Sequence, residues 1–484
     1  MASTSSTTGS TINYRSKDVL DSRIKEMLQR VAEKTKSSLN EEELLRSCQA
    51  LIGTITTKPQ FRNQKLLHVE RLVFEKVERP KTAHLERLLS IWLELADYAY
   101  QYHDNGMPLE AAIQELMGST DYALVRHSTD VETGGVGYFL AIDSTQKNIL
   151  IGIKGTSTSS EMITDCLATT IPHKCIPFSP FDATTSTAEE EEIGAHEGIL
   201  ASSIKVCNEL KPILDEKIQQ GYNIQIAGHS LGAGAASVVA VLLRAQFKEL
   251  HAPERLHAYC FAPPPVLDHQ SATKSKAFIT SVVNRNDCVA RMAIANVEIL
   301  IRMLEGLNVA MKEAGLDDFW AIAKEAVSGE KIKQLTEEDF LQLIEIMRKA
   351  QAAVQVEHKE HLYCPGNIIA LYGTLEALPA KGEEPLVTIR SGFVNPAHTF
   401  LRYFEVNDRM ISDHLIPAYR ESLVACIEMR KQTEVVEENG CRSYHLACCL
   451  RCLWLYEKIF CRCIGKTSRQ EQMERRNDAR ANES

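Results

Sequence analysis

Asn223-Ile224-Gln225-Ile226-Ala227-Gly228-His229-Ser230-Leu231-Gly232-Ala233-Gly234 is the stretch that decides the fold. Its first half is short, apolar and β-branched, as a buried strand requires. Its second half opens a run of small and apolar residues, Leu231 to Leu250, patterned as a helix. Between them stands a G-x-S-x-G pentapeptide, Gly228 to Gly232. A serine on a tight strand-to-helix turn lifts its hydroxyl clear of the sheet, and glycines two residues either side remove β-carbons that would collide there. The helix that follows adds a positive dipole end and a free backbone N–H at Leu231.

Outward from this stretch, strand-like runs recur at Val136 to Ile142, Ile149 to Ile153, His257 to Phe261 and Phe278 to Val283. Helical patterns such as Ile199 to Lys217 separate several of them. That alternation predicts an α/β fold with a mainly parallel sheet flanked by helices. Further strand-like runs fall at Ile368 to Tyr372, Leu386 to Ile389 and Phe400 to Phe404. The pattern divides the chain into a disordered N-terminus (1–20), an N-terminal helical region (21–120), an α/β domain (121–430) and a Cys-rich tail (431–484). Within the α/β domain, about 298–360 reads as a helical insertion.

The chain has 484 residues, 44% hydrophobic and 24% charged, enough to build a large core. Its 54 Lys and Arg against 64 Asp and Glu leave a formal charge of −10. That balance offers nucleic acid no general attraction, since such binding rests on neutralising phosphates. No secretory signal, N-terminal myristoylation glycine or spanning segment is visible, so a cytoplasmic protein with reduced thiols is expected. Six of the 14 cysteines crowd into Cys441, Cys448, Cys449, Cys452, Cys461 and Cys463. The tail Tyr444 to Ile464 mixes them with aromatics and with Arg451, Lys458 and Arg462. It reads as a membrane-surface segment open to palmitoylation, as a docked apolar helix, or as a metal site whose Cys461-x-Cys463 spacing is too short for an ordinary zinc knuckle.

A serine needs a histidine to take its proton and a carboxylate to hold that imidazole. In the order Ser, acid, His, the acid should end a later strand, which points to Asp287 after Phe278 to Val283, with Asp268 as the alternative. The histidine should precede a C-terminal helix, which points to His414, with His398 as the alternative. His196 and His229 read as supports.

The sequence resembles the class 3 lipases, α/β-hydrolases, and within them the diacylglycerol lipase-like branch. The resemblance spans roughly Asp121 to Met429 and rests on ordered motifs. Ile151-Gly152-Ile153-Lys154-Gly155-Thr156 resembles the family's oxyanion turn, with Lys for Arg. Met162-Ile163-Thr164-Asp165 is similar to its Trp-Leu-Thr-Asp segment. His196-Glu197-Gly198 matches a His-x-Gly, and Ala227 to Gly234 fits the nucleophile motif. The resemblance implies catalytic Ser230, Asp287 and His414, an oxyanion hole from Thr156 and Leu231, a lid near Cys166 to Glu192, and a regulatory role for the insertion. It implies hydrolysis of a glycerolipid acyl ester, diacylglycerol foremost, at a membrane or lipid-droplet surface with peripheral membrane association. Phospholipase A1-type activity, acyl transfer to another alcohol and a silent lipase-like scaffold stay open. No cofactor or metal is expected, and nothing in the sequence bears on calcium dependence.

Overall fold

A single mixed sheet sets where every functional side chain falls. The computed structural model describes residues 76–101, 108–128, 136–155, 170–175, 191–313, 361–375, 386–402 and 409–438, with isolated positions between 29 and 74. In chain order, α1 (Thr82–Arg87) passes through a π-helical turn (Leu88–Trp92) into α2 (Leu93–Gln101), and α3 (Leu109–Met117) follows. Strands β1 (Tyr122–Ser128), β2 (Tyr138–Asp143) and β3 (Asn148–Ile153) come next, then β4 (Thr170–Cys175) and β5 (Glu191–His196). Helix α4 (Glu197–Gln219), β6 (Asn223–His229), α5 (Leu231–Gln246) and β7 (Leu256–Phe261) form the centre. Helix α6 (His269–Lys274), β8 (Ile279–Asn284), α7 (Ile294–Glu313), β9 (Asn367–Leu375) and β10 (Val387–Val394) lead to α8 (Thr399–Arg402) and α9 (Ile416–Glu438). Residues Met1–Ile427 form one compact unit. Glu428–Ser484 form a second, whose described part is the C-terminal end of α9.

The main sheet has the order β1-β2-β3-β6-β7-β8-β9-β10. Its pairs from β3 to β9 are parallel, and the outer pairs are antiparallel. The chain therefore has an α/β-hydrolase fold, a mostly parallel sheet covered by helices. Alternation along each strand feeds two cores. Ile149, Ile151 and Ile153 of β3 and Ile224 and Ile226 of β6 pack with α4 and α5, while Leu150 and Ala227 face the other way. That second face meets Leu88, Trp92, Leu93 and Leu95 from the N-terminal helices and Tyr419 and Leu423 from α9. Each such aliphatic side chain, once buried, contributes about 1.5–3 kcal/mol. Helix α5 is buried from Gly232 to Ala245 on all sides, as a helix wedged between layers must be.

Two expectations change. The run Phe400 to Phe404 is not a strand: Thr399–Arg402 form the short helix α8, and 403–408 lie outside the described residues. The buried Arg291 guanidinium lies 4.4 Å over the Phe400 ring and its Nε donates to the Phe400 carbonyl at 2.9 Å, so tertiary contacts override a short apolar pattern. The span expected as a lid contains β4, which pairs antiparallel with β5 as a separate two-stranded sheet. The apolar patch Ile176 to Phe181 lies outside the described residues, as do residues 1–20, 314–360 and the tail Tyr444 to Ile464. Among the described residues no helix is long and apolar enough to cross a membrane.

Candidate active site

The carboxyl ends of the parallel strands converge on Ser230. It sits at φ 60°, ψ −131°, a region that favours glycine, between β6 and α5. Its N–H donates to the Phe261 carbonyl at the end of β7, 2.9 Å away, which holds the turn against the sheet. The turn is possible because the residues two positions either side, Gly228 and Gly232, have no side chain. A β-carbon on Gly228 would lie 2.4 Å from the Gly232 carbonyl oxygen, and one on Gly232 would lie 2.3 Å from that of Ile153. Leu231 opens α5, so its N–H has no carbonyl of that helix to bond. Thr156, expected as the other oxyanion donor, lies outside the described residues.

The structure brings Ser230, His414 and Asp287 together across 184 and 127 residues of sequence. His414 Nε2 is 2.9 Å from Ser230 Oγ, and His414 Nδ1 is 3.0 Å from Asp287 Oδ1. A carboxylate only accepts, so Nδ1 carries the proton and Nε2 is left to accept from the serine hydroxyl. All three are buried. The alternatives are engaged elsewhere. Asp268 caps α6, accepting from Ser271 N–H and Gly194 N–H at 2.9 and 2.6 Å. The His398 ring lies tilted against Phe74, centroids 5.1 Å apart, and its Nδ1 accepts from the Phe400 N–H.

Sequence reasoning missed the groups around the triad. Asp287 Oδ2 accepts from the Tyr419 hydroxyl at 2.6 Å, and Oδ1 also accepts from the Val289 N–H at 2.8 Å. Burial alone would push the Asp287 carboxyl up. His414, Tyr419 and the Val289 N–H together outweigh it and hold the carboxyl below the usual range, so it stays ionised. Tyr419 falls on the buried face of α9 with Leu423, Cys426 and Ile427, and that spacing is its only sequence signal. Asp413, next to the base, accepts from Asn286 N–H at 3.2 Å and pairs with Arg285 at 3.2 Å. The loops bearing acid and base are thus tied by a second carboxylate.

Residues 150–297 match the family model described as Lipase (class 3). That segment, about a third of the chain, is similar to the class 3 lipases. The chain is 26% identical to diacylglycerol lipase-beta of Mus musculus over 172 residues, covering 34% of this chain and 23% of that protein. To diacylglycerol lipase-alpha of Homo sapiens it is 27% identical over 184 residues, covering 34% of this chain and 15% of that protein. The chain thus matches less than a quarter of the length of these curated relatives. Among solved structures it is similar to the lipase from Rhizopus microsporus var. chinensis, with TM-score 0.36, 20% identity, and 45% and 71% of the two chains covered.

Proposed function

We propose that this protein is a serine esterase that hydrolyses an acyl ester of a glycerolipid, with diacylglycerol as its preferred substrate. The observation that carries the reading is the hydrogen-bonded chain Ser230–His414–Asp287 at the strand ends. In this reading Ser230 Oγ attacks the ester carbonyl while His414 Nε2 takes its proton. Asp287 holds the imidazole in the productive tautomer and offsets the charge that develops on it. The N–H groups of Leu231 and Thr156 receive the oxyanion, where losing one donor typically costs about 10²–10³-fold. The glyceride alcohol leaves with the proton from His414, and water, activated by the same imidazole, releases the fatty acid from Ser230. The scheme calls on no cofactor.

Diacylglycerol is favoured by the names of the relatives that share this segment. The substrate's place in a membrane or droplet is matched by the aromatic, basic and cysteine-rich tail Tyr444 to Ile464, which we assign to peripheral attachment in the cytoplasm through palmitoylated cysteines. The test is fatty-acid release from diacylglycerol and from phosphatidylcholine at equal mole fraction in mixed micelles. Release from diacylglycerol at least tenfold faster is the expected result. Faster release from phosphatidylcholine would make the protein a phospholipase A1-type enzyme, and no release from either would leave the reading without support.

A further inference from the structure

Tyr100 lies at the end of α2, outside the segment that matches the family model, yet its hydroxyl reaches the nucleophile turn. It is 3.1 Å from the His229 carbonyl oxygen and 3.2 Å from His229 Nδ1. It also receives the Gly155 N–H. The fit is close: a β-carbon on Gly155 would lie 2.1 Å from that hydroxyl and 2.5 Å from the His229 carbonyl oxygen. His229 in turn places Nε2 2.8 Å from the His414 carbonyl oxygen, with the two rings 4.8 Å apart.

The proton positions follow from these partners. A carbonyl only accepts, so Nε2 of His229 must carry the hydrogen. Burial, first, and the neighbouring His414 hold His229 down to about 3, so the ring is neutral and its Nδ1 is a bare lone pair. The Tyr100 hydroxyl accepts from Gly155 and spends its one proton on His229, through Nδ1 or the carbonyl. Each group tied this way is next to, or part of, a working residue. Gly155 precedes Thr156, His229 precedes Ser230, and the carbonyl belongs to the base itself.

We propose that Tyr100 and His229 are positioning residues, a polar relay that sets the spacing of oxyanion turn, nucleophile and general base before substrate arrives. Neither touches the ester. The relay acts by removing freedom from His414 and the Gly155 turn, so it bears on the chemical step and not on lipid binding. It rests on the esterase reading for its consequence in rate, but its hydrogen bonds stand whether or not the chain turns over an ester.

Two measurements on the full chain test it. Ring-15N-histidine labelling, with His229→Leu to assign the signal, should show His229 as the neutral Nε2–H tautomer from pH 5 to 9, with a slowly exchanging proton. Tyr100→Phe should shift that resonance. An Nδ1–H tautomer, or a His229 that titrates in this range, overturns the relay even in a protein that hydrolyses nothing. On a soluble short-chain ester, His229→Leu should lower kcat about 30-fold or more with KM within twofold. His229→Gln, whose amide can still donate to the His414 carbonyl, should recover at least tenfold of that loss. Tyr100→Phe added to His229→Leu should cost less than it does in the wild type, because the bond to Nδ1 is already lost while those to the Gly155 N–H and the residue 229 carbonyl remain to be broken. Equal losses in the Leu and Gln variants would reduce His229 to packing and overturn the proposal. An active wild type with unaffected relay variants overturns the relay alone, whereas an inactive wild type with the predicted tautomer contradicts the esterase reading alone.

Discussion

Replacing Ser230 with glycine is expected to abolish ester hydrolysis while making the protein harder to unfold. The first effect follows from losing the nucleophile: kcat should fall by roughly 10⁴-fold or more. The second follows from the backbone. Ser230 is held at φ 60°, ψ −131°, and a non-glycine residue in such a region costs about 1–3 kcal/mol. Glycine removes that cost but brings about 0.5–1 kcal/mol of extra chain entropy in the unfolded state. The net gain is on the order of 1 kcal/mol, readable as a higher denaturation midpoint at unchanged slope. The surrounding bonds, Ser230 N–H to Phe261 and the Ser230 carbonyl to Ala233 and Gly234, involve only backbone and survive the change. A glycine variant less stable than wild type would show that the turn stores no strain.

Asp287→Asn is expected to lower kcat by about 10⁴-fold with KM little changed. The substitution keeps the shape: with the amide nitrogen facing His414 at the Oδ1 position, the amide oxygen takes the Oδ2 position and still accepts from Tyr419, while the Val289 N–H loses its acceptor. What is lost is the requirement that His414 Nδ1 carry a proton. The asparagine amide donates where the carboxylate accepted, so the imidazole turns to the Nε2–H tautomer and cannot take the Ser230 proton. Steady-state kinetics on a soluble ester, with circular dichroism to show the fold intact, measures this. A folded variant within tenfold of wild type would move the acid elsewhere. Asp268 is a poor substitute, because its carboxylate is spent on Ser271 and Gly194.

Much of the centre was legible because its chemistry is local. Strand, turn and helix from Asn223 to Leu250 announce themselves by β-branching, two glycines and a small-residue helix start, and the structure has β6 and α5 there. The parallel sheet followed from strand–helix alternation, and the order of acid and base from the order of strands. What stayed hidden is long-range. Tyr100 bonds across 129 residues and Tyr419 across 132, and nothing in an alternating or helical pattern distinguishes a tyrosine aimed at a carboxylate from one filling a core. The strand expected at Phe400 failed for the same reason: four apolar residues fit either element, and Arg291 decided between them. The cysteines show the reverse case. Cys207, Cys260, Cys288, Cys364 and Cys426 are buried, and burial pushes the Cys207 and Cys364 thiols up to about 12, so these two behave as small hydrophobes.

The central claim is that Ser230 is a nucleophile activated by His414. The most direct measurement is covalent capture by a fluorophosphonate, read by mass spectrometry of the intact chain and then of its peptides. One adduct per chain, on the peptide carrying Ser230, formed at a rate that drops by orders of magnitude in His414→Gln, is the predicted result. A chain that stays unlabelled, or a label on another serine that forms equally fast without His414, would contradict it.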